Sequence, residues 1–429
     1  MSHGTGGEPK SVGHESLGLF EGFGVEVEYM IVDRDTLDVR PVADLLIERV
    51  EGEPAAEIER GELAWSNELV LHVLELKTNG PAPALTRLSA LFQESVTDAN
   101  DRLAPLGAVL LPGGAHPWMD PAAETRLWPH EYNDVYRAFD RIFSCRGHGW
   151  ANLQATHLNL PFRGDREFRA LHSAIRALLP LLPALAASSP FLDGRRGGAL
   201  DQRLVEYRRN STRIPAVAGL VVPDAVGTPD EYRLEILEPI YRDLAPHDPE
   251  GTLRHEWVNA RGAIARFERG TVEIRLLDVQ ECPAADLAVV AATARAVHAL
   301  SERILDGDHG PEGITTRELA SILDAVIREA DRAKVEPARY REAVGLRRAG
   351  SRWARDLWWE ILDGAVPVEW VAEAERDSDG NDPLRTILEK GCLARRIVEA
   401  LEPEPGRAEL AEVYGELADC LAAGRVFRA

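Results

Sequence analysis

"GFGVEVEYMIV" (Gly22–Val32) sets two carboxylates, Glu26 and Glu28, into a run that is otherwise almost wholly apolar. The alternation reads as a β-strand. Positions i and i+2 of a strand share a face, so Glu26 and Glu28 point one way while Val25, Val27, Tyr29 and Ile31 point the other. Three further stretches repeat the device. In "THLNL" the polar pair is His157 and Asn159, with Leu158 and Leu160 behind it; in "TVEIRLL" it is Glu273 and Arg275, with Val272, Ile274 and Leu276 behind. In "HVLELKT" the same parity aligns Glu75 with Lys77 in front of leucines.

Strand patterns therefore cover 23–33, 69–77, 153–160 and 270–279, and the short apolar run 107–112 adds another. Helical patterns lie between them at 84–103, at 165–187 with interruptions at Pro180 and Pro183, and at 284–305. From about 315 onward the chain reads as helix, over 316–332, 337–348, 351–362, 383–402 and 407–424. Strands and helices do not alternate strictly, which favours an α+β fold with an antiparallel sheet over a doubly wound parallel one. The expected organisation is a flexible tail over 1–20, an α+β unit over 21–305 that carries the chemistry, and a helical region over 306–429 packed on it.

The 429 residues are 45 % hydrophobic and 28 % charged, enough for a substantial core. The balance of 49 cationic against 71 acidic side chains gives a formal charge of −22, which disfavours nucleic acid and anionic membranes as partners. The first twenty residues lack a basic start and an apolar run, and no uninterrupted apolar stretch reaches the roughly 18 residues of a membrane span. The expected location is the cytoplasm. The four cysteines (Cys145, Cys282, Cys392, Cys420) are far apart and read as reduced thiols.

A wet face of an antiparallel sheet also alternates polar and apolar residues. Such faces carry Thr, Ser, Lys and Arg in variety, whereas these strands offer Glu, Glu, Glu, His, Asn, Glu and Arg. Carboxylates about 7 Å apart along a strand repel one another unless cations lie between them. Hard divalent ions take oxygen ligands, accept an occasional imidazole, and bridge carboxylates to phosphates. The pattern points to a metal–phosphate site on a sheet face.

"GFGVEVEYMIVD", "ELVLHVLELKTNGP", "THLNLPF" and "GTVEIRLLDVQ", in this order, resemble the signature segments of the type 2 glutamate-cysteine ligase family, within the glutamine synthetase-like carboxylate-amine ligase superfamily. The resemblance implies a curved antiparallel sheet of the glutamine synthetase catalytic-domain type with flanking helices. It also implies Mg²⁺, with Mn²⁺ as an alternative, held between sheet carboxylates and the phosphates of ATP. By motif position Glu26, Glu28, Glu68, Glu75 and Glu273 would match metal ligands, His157 the histidine near ATP and metal, and Arg275 the donor to the transferring phosphoryl group. Glu68 and Glu75 have opposite parity in a continuous strand, so either Glu68 precedes the strand or a bulge intervenes.

Asn159, Arg203 (in the Gly-containing stretch after "SSP"), Arg261 and Arg266 are the candidates for binding substrate or ATP. The segment 259–270 reads equally as a solvated helix or loop face. "PGGAHPW" (112–118) reads as a turn beside the site, with His116 a weaker candidate. The implied activity is ATP-dependent amide formation through an acyl phosphate, from L-glutamate and an amine such as L-cysteine; a homo-oligomer is compatible with it. A ligase for another amine and a metal-dependent amide hydrolase are the rivals.

Overall fold

The computed structural model describes residues 17–346, 353–371 and 375–428. The tail expected over 1–20 lies almost entirely outside them, as do the helix ends expected at 347–348 and 351–352. The strands are β1 (Gly24–Asp33), β2 (Glu57–Arg60), β3 (Leu63–Asn67), β4 (Val73–Thr78), β5 (Ala108–Leu111), β6 (Ala155–Pro161), the short pair β7 (Phe191–Leu192) and β8 (Arg195–Arg196), β9 (Ala263–Arg266) and β10 (Thr271–Asp278). One eight-stranded sheet runs β2-β3-β4-β1-β6-β10-β9, and β5 pairs the far half of β1. Its pairings are all antiparallel, as the α+β reading requires.

Three expectations about the sheet change. The strand expected from residue 69 begins at Val73, because the Val73 amide closes a turn onto the carbonyl of Val70 (3.3 Å). Glu68 thus precedes the strand. The hairpin β2–β3 forms where no strand was expected: Gly61 supplies the left-handed turn at φ 74°, and Ile58, Leu63 and Trp65 turn inward. Segment 259–270 holds the edge strand β9, with Ala263, Ile264 and Ala265 almost fully buried rather than solvated. Gly262 leads into it because a Cβ there would meet Leu276 at 2.6 Å. Among the helices, 165–187 breaks at its prolines into Gly164–Leu178, a 3₁₀ turn and Pro183–Ala186, while 383–402 splits at Gly391, whose φ is 101°.

The two faces of β1 have different covers. Val25, Val27, Tyr29 and Ile31 are fully buried in one core with Phe92 and Val96 of helix Leu88–Leu103 and Leu287 and Val290 of helix Pro283–Leu305. Each such side chain contributes roughly 1.5–3 kcal/mol by leaving water. Helix Pro283–Leu305 is long and apolar enough to cross a membrane, but 83 % of its most apolar window is buried inside the protein. Within this core the Tyr29 hydroxyl and the carboxyl of Asp286 lie 3.3 Å apart, and Asp286 also accepts from the Thr156 hydroxyl and the Gln280 amide. Burial pushes Asp286 up to about 8, against the hydrogen bonds that favour its ionised form.

The opposite face is shared. Beyond Glu26 and Glu28, Met30 and Val32 join a second core with Leu410, Tyr414 and Leu417 of helix Arg407–Ala423. The C-terminal helices therefore seal the apolar half of this face and leave its acidic half uncovered by that core.

Candidate active site

Cross-strand register assembles the polar pairs. Glu28 lies opposite Glu75 and Glu26 opposite Lys77 across β1–β4; Glu26 also lies opposite His157 across β1–β6, and Glu273 opposite Asn159 across β10–β6. Gly24 is required by this packing, since a Cβ there would stand 2.9 Å from the Cβ of Asn159. A break in register between Ile274 and Leu277 forms an irregularity at Arg275, the kind of feature that re-aims a side chain.

Near β1 and β6, Glu26 accepts from His157 Nδ1 (3.1 Å), Asn159 Nδ2 (3.2 Å) and Arg269 (3.3 Å). Burial acts upward on the Glu26 carboxyl, yet the His157 hydrogen bond and the cations around it hold it below the usual range. Burial likewise opposes a charge on His157, but Glu26, Glu28 and Glu273 carry its pKa upward. Glu28 accepts from the Ala155 amide at 2.8 Å, and burial pushes its carboxyl up.

Toward β3 and β4 the balance is worse. Glu28, Glu68 and Glu75 each offer an oxygen within 4.8 Å of the other two, and an oxygen each of Glu26 and Glu75 lies equally close to the other and to a ring nitrogen of His157. Burial, then the charge of Glu26, pushes Glu75 up to about 7 against the pull of Lys77 and the Ser66 hydroxyl. Burial and the charges of Glu28 and Glu75 push Glu68 well above the carboxylate range. Tyr136, on helix Asn133–Phe143, closes this side by accepting from the Asn67 amide at 2.8 Å.

At β10 the balance reverses. Glu273, 1 % exposed, binds Arg266 at 2.7 Å through one oxygen and Arg275 through the other. Burial acts upward here too, but the two guanidinium groups hold Glu273 well below the usual carboxylate range. Its oxygens are thus committed to arginine, unlike those of an open metal ligand.

Of the expected residues, Glu26, Glu28, Glu68, Glu75, His157 and Asn159 come together with Glu273, Arg266 and Arg275 on one face. Arg203 lies buried at the far end of this same face, with Nε on Asp278, which stands opposite Ala155 of β6, and its charge pulls the Glu28 carboxyl downward against burial. Arg261 turns elsewhere: it donates to Asp224, to Asn259 and to the carbonyl of Ala216. His116 serves the fold, its buried ring bonded to the carbonyl of Leu37 and pushed down to about 4 by burial. Ser66, Arg269, Asn67 and Tyr136 were not expected. The alternation in "EIERGELAWSN" would have found Ser66, whereas nothing local marks Tyr136.

The donor set fits a hard divalent cation: carboxylate oxygens with one imidazole, crowded so closely that burial and mutual repulsion raise Glu75 and Glu68 toward the protonated form. A cation there would reverse that penalty.

A model of glutamate-cysteine ligase family 2 matches residues 22–416. An uncharacterized protein of Archaeoglobus fulgidus is 31 % identical over 404 residues, covering 94 % of this chain and 99 % of its own. A Rubrobacter xylanophilus protein named as a candidate glutamate–cysteine ligase 2-3 is 28 % identical, covering 88 % of this chain and 95 % of its own. Among solved structures, the glutamate–cysteine ligase of Francisella tularensis in complex with AMP shares the fold at a TM-score of 0.60 and 14 % identity, over 94 % of this chain and 89 % of that one. With a family model spanning most of its length and sheet carboxylates gathered on one face, the chain belongs to glutamate-cysteine ligase family 2 and is an amide-forming ligase.

Proposed function

We propose that this ligase activates the γ-carboxyl of L-glutamate with ATP as an acyl phosphate, which the amine of L-cysteine then attacks to give γ-glutamylcysteine. The observation that carries the reading is the contrast within one face: undercompensated carboxylates of Glu28, Glu68 and Glu75 beside the Arg266–Glu273–Arg275 cluster. A carboxylate is a poor electrophile, and phosphorylation supplies the leaving group it lacks. Glu26, Glu28, Glu68, Glu75 and His157 would hold Mg²⁺, which when bound neutralises phosphate oxygens.

The chain's own groups do the rest. Glu273 fixes two guanidinium planes, and Arg275 offers donors to charge that develops on the transferring phosphoryl group. Arg266 keeps Glu273 ionised. Asn159 and His157 hold the Glu26 carboxylate in one orientation, so no reorganisation is needed at the moment of transfer. The acceptor assignment rests on the family and on the names of its relatives.

An ADP-release assay with L-glutamate, Mg²⁺ and a panel of amines tests the reading. Release is expected with L-cysteine, and Glu28→Ala and Arg275→Met each reduce it at least about 100-fold while the protein stays folded. Release with a different amine only would move the acceptor. Amide hydrolysis without nucleotide would replace the ligase mechanism with hydrolysis.

A further inference from the structure

Glu57, Ser66, Glu75 and Glu28 form one cross-strand row through β2, β3, β4 and β1, and Lys77 stands in the next row opposite Glu26. The Lys77 ammonium bridges two carboxylates of that first row: it lies 2.7 Å from Glu57 and 3.3 Å from Glu75. The two partners differ in kind. Glu75 is inside the carboxylate cluster with its side chain 8 % exposed, whereas Glu57 belongs to the edge strand β2 with its side chain 51 % exposed and lies outside every ligand group of the site. Ala64 faces Lys77 on β3 and leaves the space above the strand to the lysine stem.

Lys77 and Ser66 both approach Oε2 of Glu75, so a divalent ion taking Oε1 would share the carboxylate with the ammonium and be repelled by it. An ammonium on a flexible four-carbon stem can move, and Glu57 already holds its shorter contact. We infer that Lys77 is an internal counter-ion of the site: it neutralises Glu75 while no metal is bound, and retires onto Glu57 when a divalent cation takes Glu75. Glu57 is then a positioning residue, acting on the metal only through Lys77. The inference rests on the metal-binding reading given above and adds a residue pair to it.

The two residues must shift affinity in opposite directions, which a merely structural role for either would not produce. The measurement is Mn²⁺ binding in the absence of nucleotide, followed by the electron paramagnetic resonance signal of the free ion. Lys77→Met removes the competitor and tightens Mn²⁺ about fivefold; Glu57→Gln removes the lysine's other partner, leaves it on Glu75 and weakens Mn²⁺ about threefold. The double variant behaves as Lys77→Met, because Glu57 has nothing left to hold. Lys77→Arg, which keeps the charge and a similar reach, stays near wild type and guards against a loss of fold in the Met variant. Shifts of the same sign in the two single variants, or a double variant that shows both effects added, would overturn the inference while leaving the metal site standing. Failure of the unmodified protein to bind Mn²⁺ at all would bring down the metal reading itself and the counter-ion role with it.

Discussion

The two ends of the polar face are built from the same residue type with opposite electrostatics. At the β10 end Glu273 has two arginines for its two oxygens and sits well below the usual carboxylate range. At the β3–β4 end Glu68 and Glu75 have one nearby lysine and are pushed upward by burial and by neighbouring carboxylates, while burial also pushes Glu28 up against the pull of His157 and Arg203. The first end is compensated as folded; the second is not. A buried carboxylate therefore stabilises the protein at one end and costs stability at the other.

The same isosteric substitution separates the ends most sharply. Glu273→Gln leaves two largely buried guanidinium groups facing a neutral amide, and should cost about 2–4 kcal/mol of metal-free stability. Glu68→Gln removes a charge that burial and its neighbours disfavour, and should gain about 1 kcal/mol at pH 8. Urea denaturation in EDTA reads both. Equal losses at the two sites would break the comparison.

A pH series sharpens it further. The folded pKa of Glu75, about 7, lies above its ordinary 4.5, so the protonated form is favoured by the fold. Its contribution to stability is full below 4.5 and is lost as pH rises through 7. Glu75 should cost the metal-free protein about 2–3 kcal/mol between pH 5 and 8, on top of a loss of the same sign from Asp286 on the other face, and the part that Mg²⁺ restores at pH 8 but not at pH 5 is the share of the β3–β4 end. A flat metal-free profile would mean that the β3–β4 end is already compensated.

How much of this was legible beforehand follows the same division. Period-2 alternation revealed β1, β4, β6 and β10, because each buries one face against helices and leaves the other to polar residues. Glu26, Glu28, Glu75, His157 and Glu273 could be read from parity alone. The hairpin β2–β3 was not read because "EIER" is short and mostly exposed, and β9 was not because its alanines and arginines resemble a helix or loop. Long-range partners were out of reach in principle. Nothing near Arg261 in sequence announces Asp224, 37 residues away, and nothing near Tyr136 announces Asn67, 69 residues away. The commitment of Glu273 to two arginines was hidden for a related reason: Arg275 is its neighbour in the strand, but Arg266 reaches it only because β9 pairs with β10.

The smallest effect isolates one donor. Ser66 gives its hydroxyl proton to Glu75, a bond that favours the ionised carboxylate and holds its pKa down. Ser66→Ala should therefore raise the Glu75 pKa above about 7 and lower the ionised fraction at neutral pH. Mn²⁺ affinity at pH 7 should fall about threefold to fivefold, the equivalent of one ordinary hydrogen bond of about 1 kcal/mol. By pH 9 Glu75 is ionised in both proteins, so the deficit should close. A hydroxyl that merely filled space would give a deficit independent of pH, and that result would place the control of Glu75 with burial and Lys77 alone.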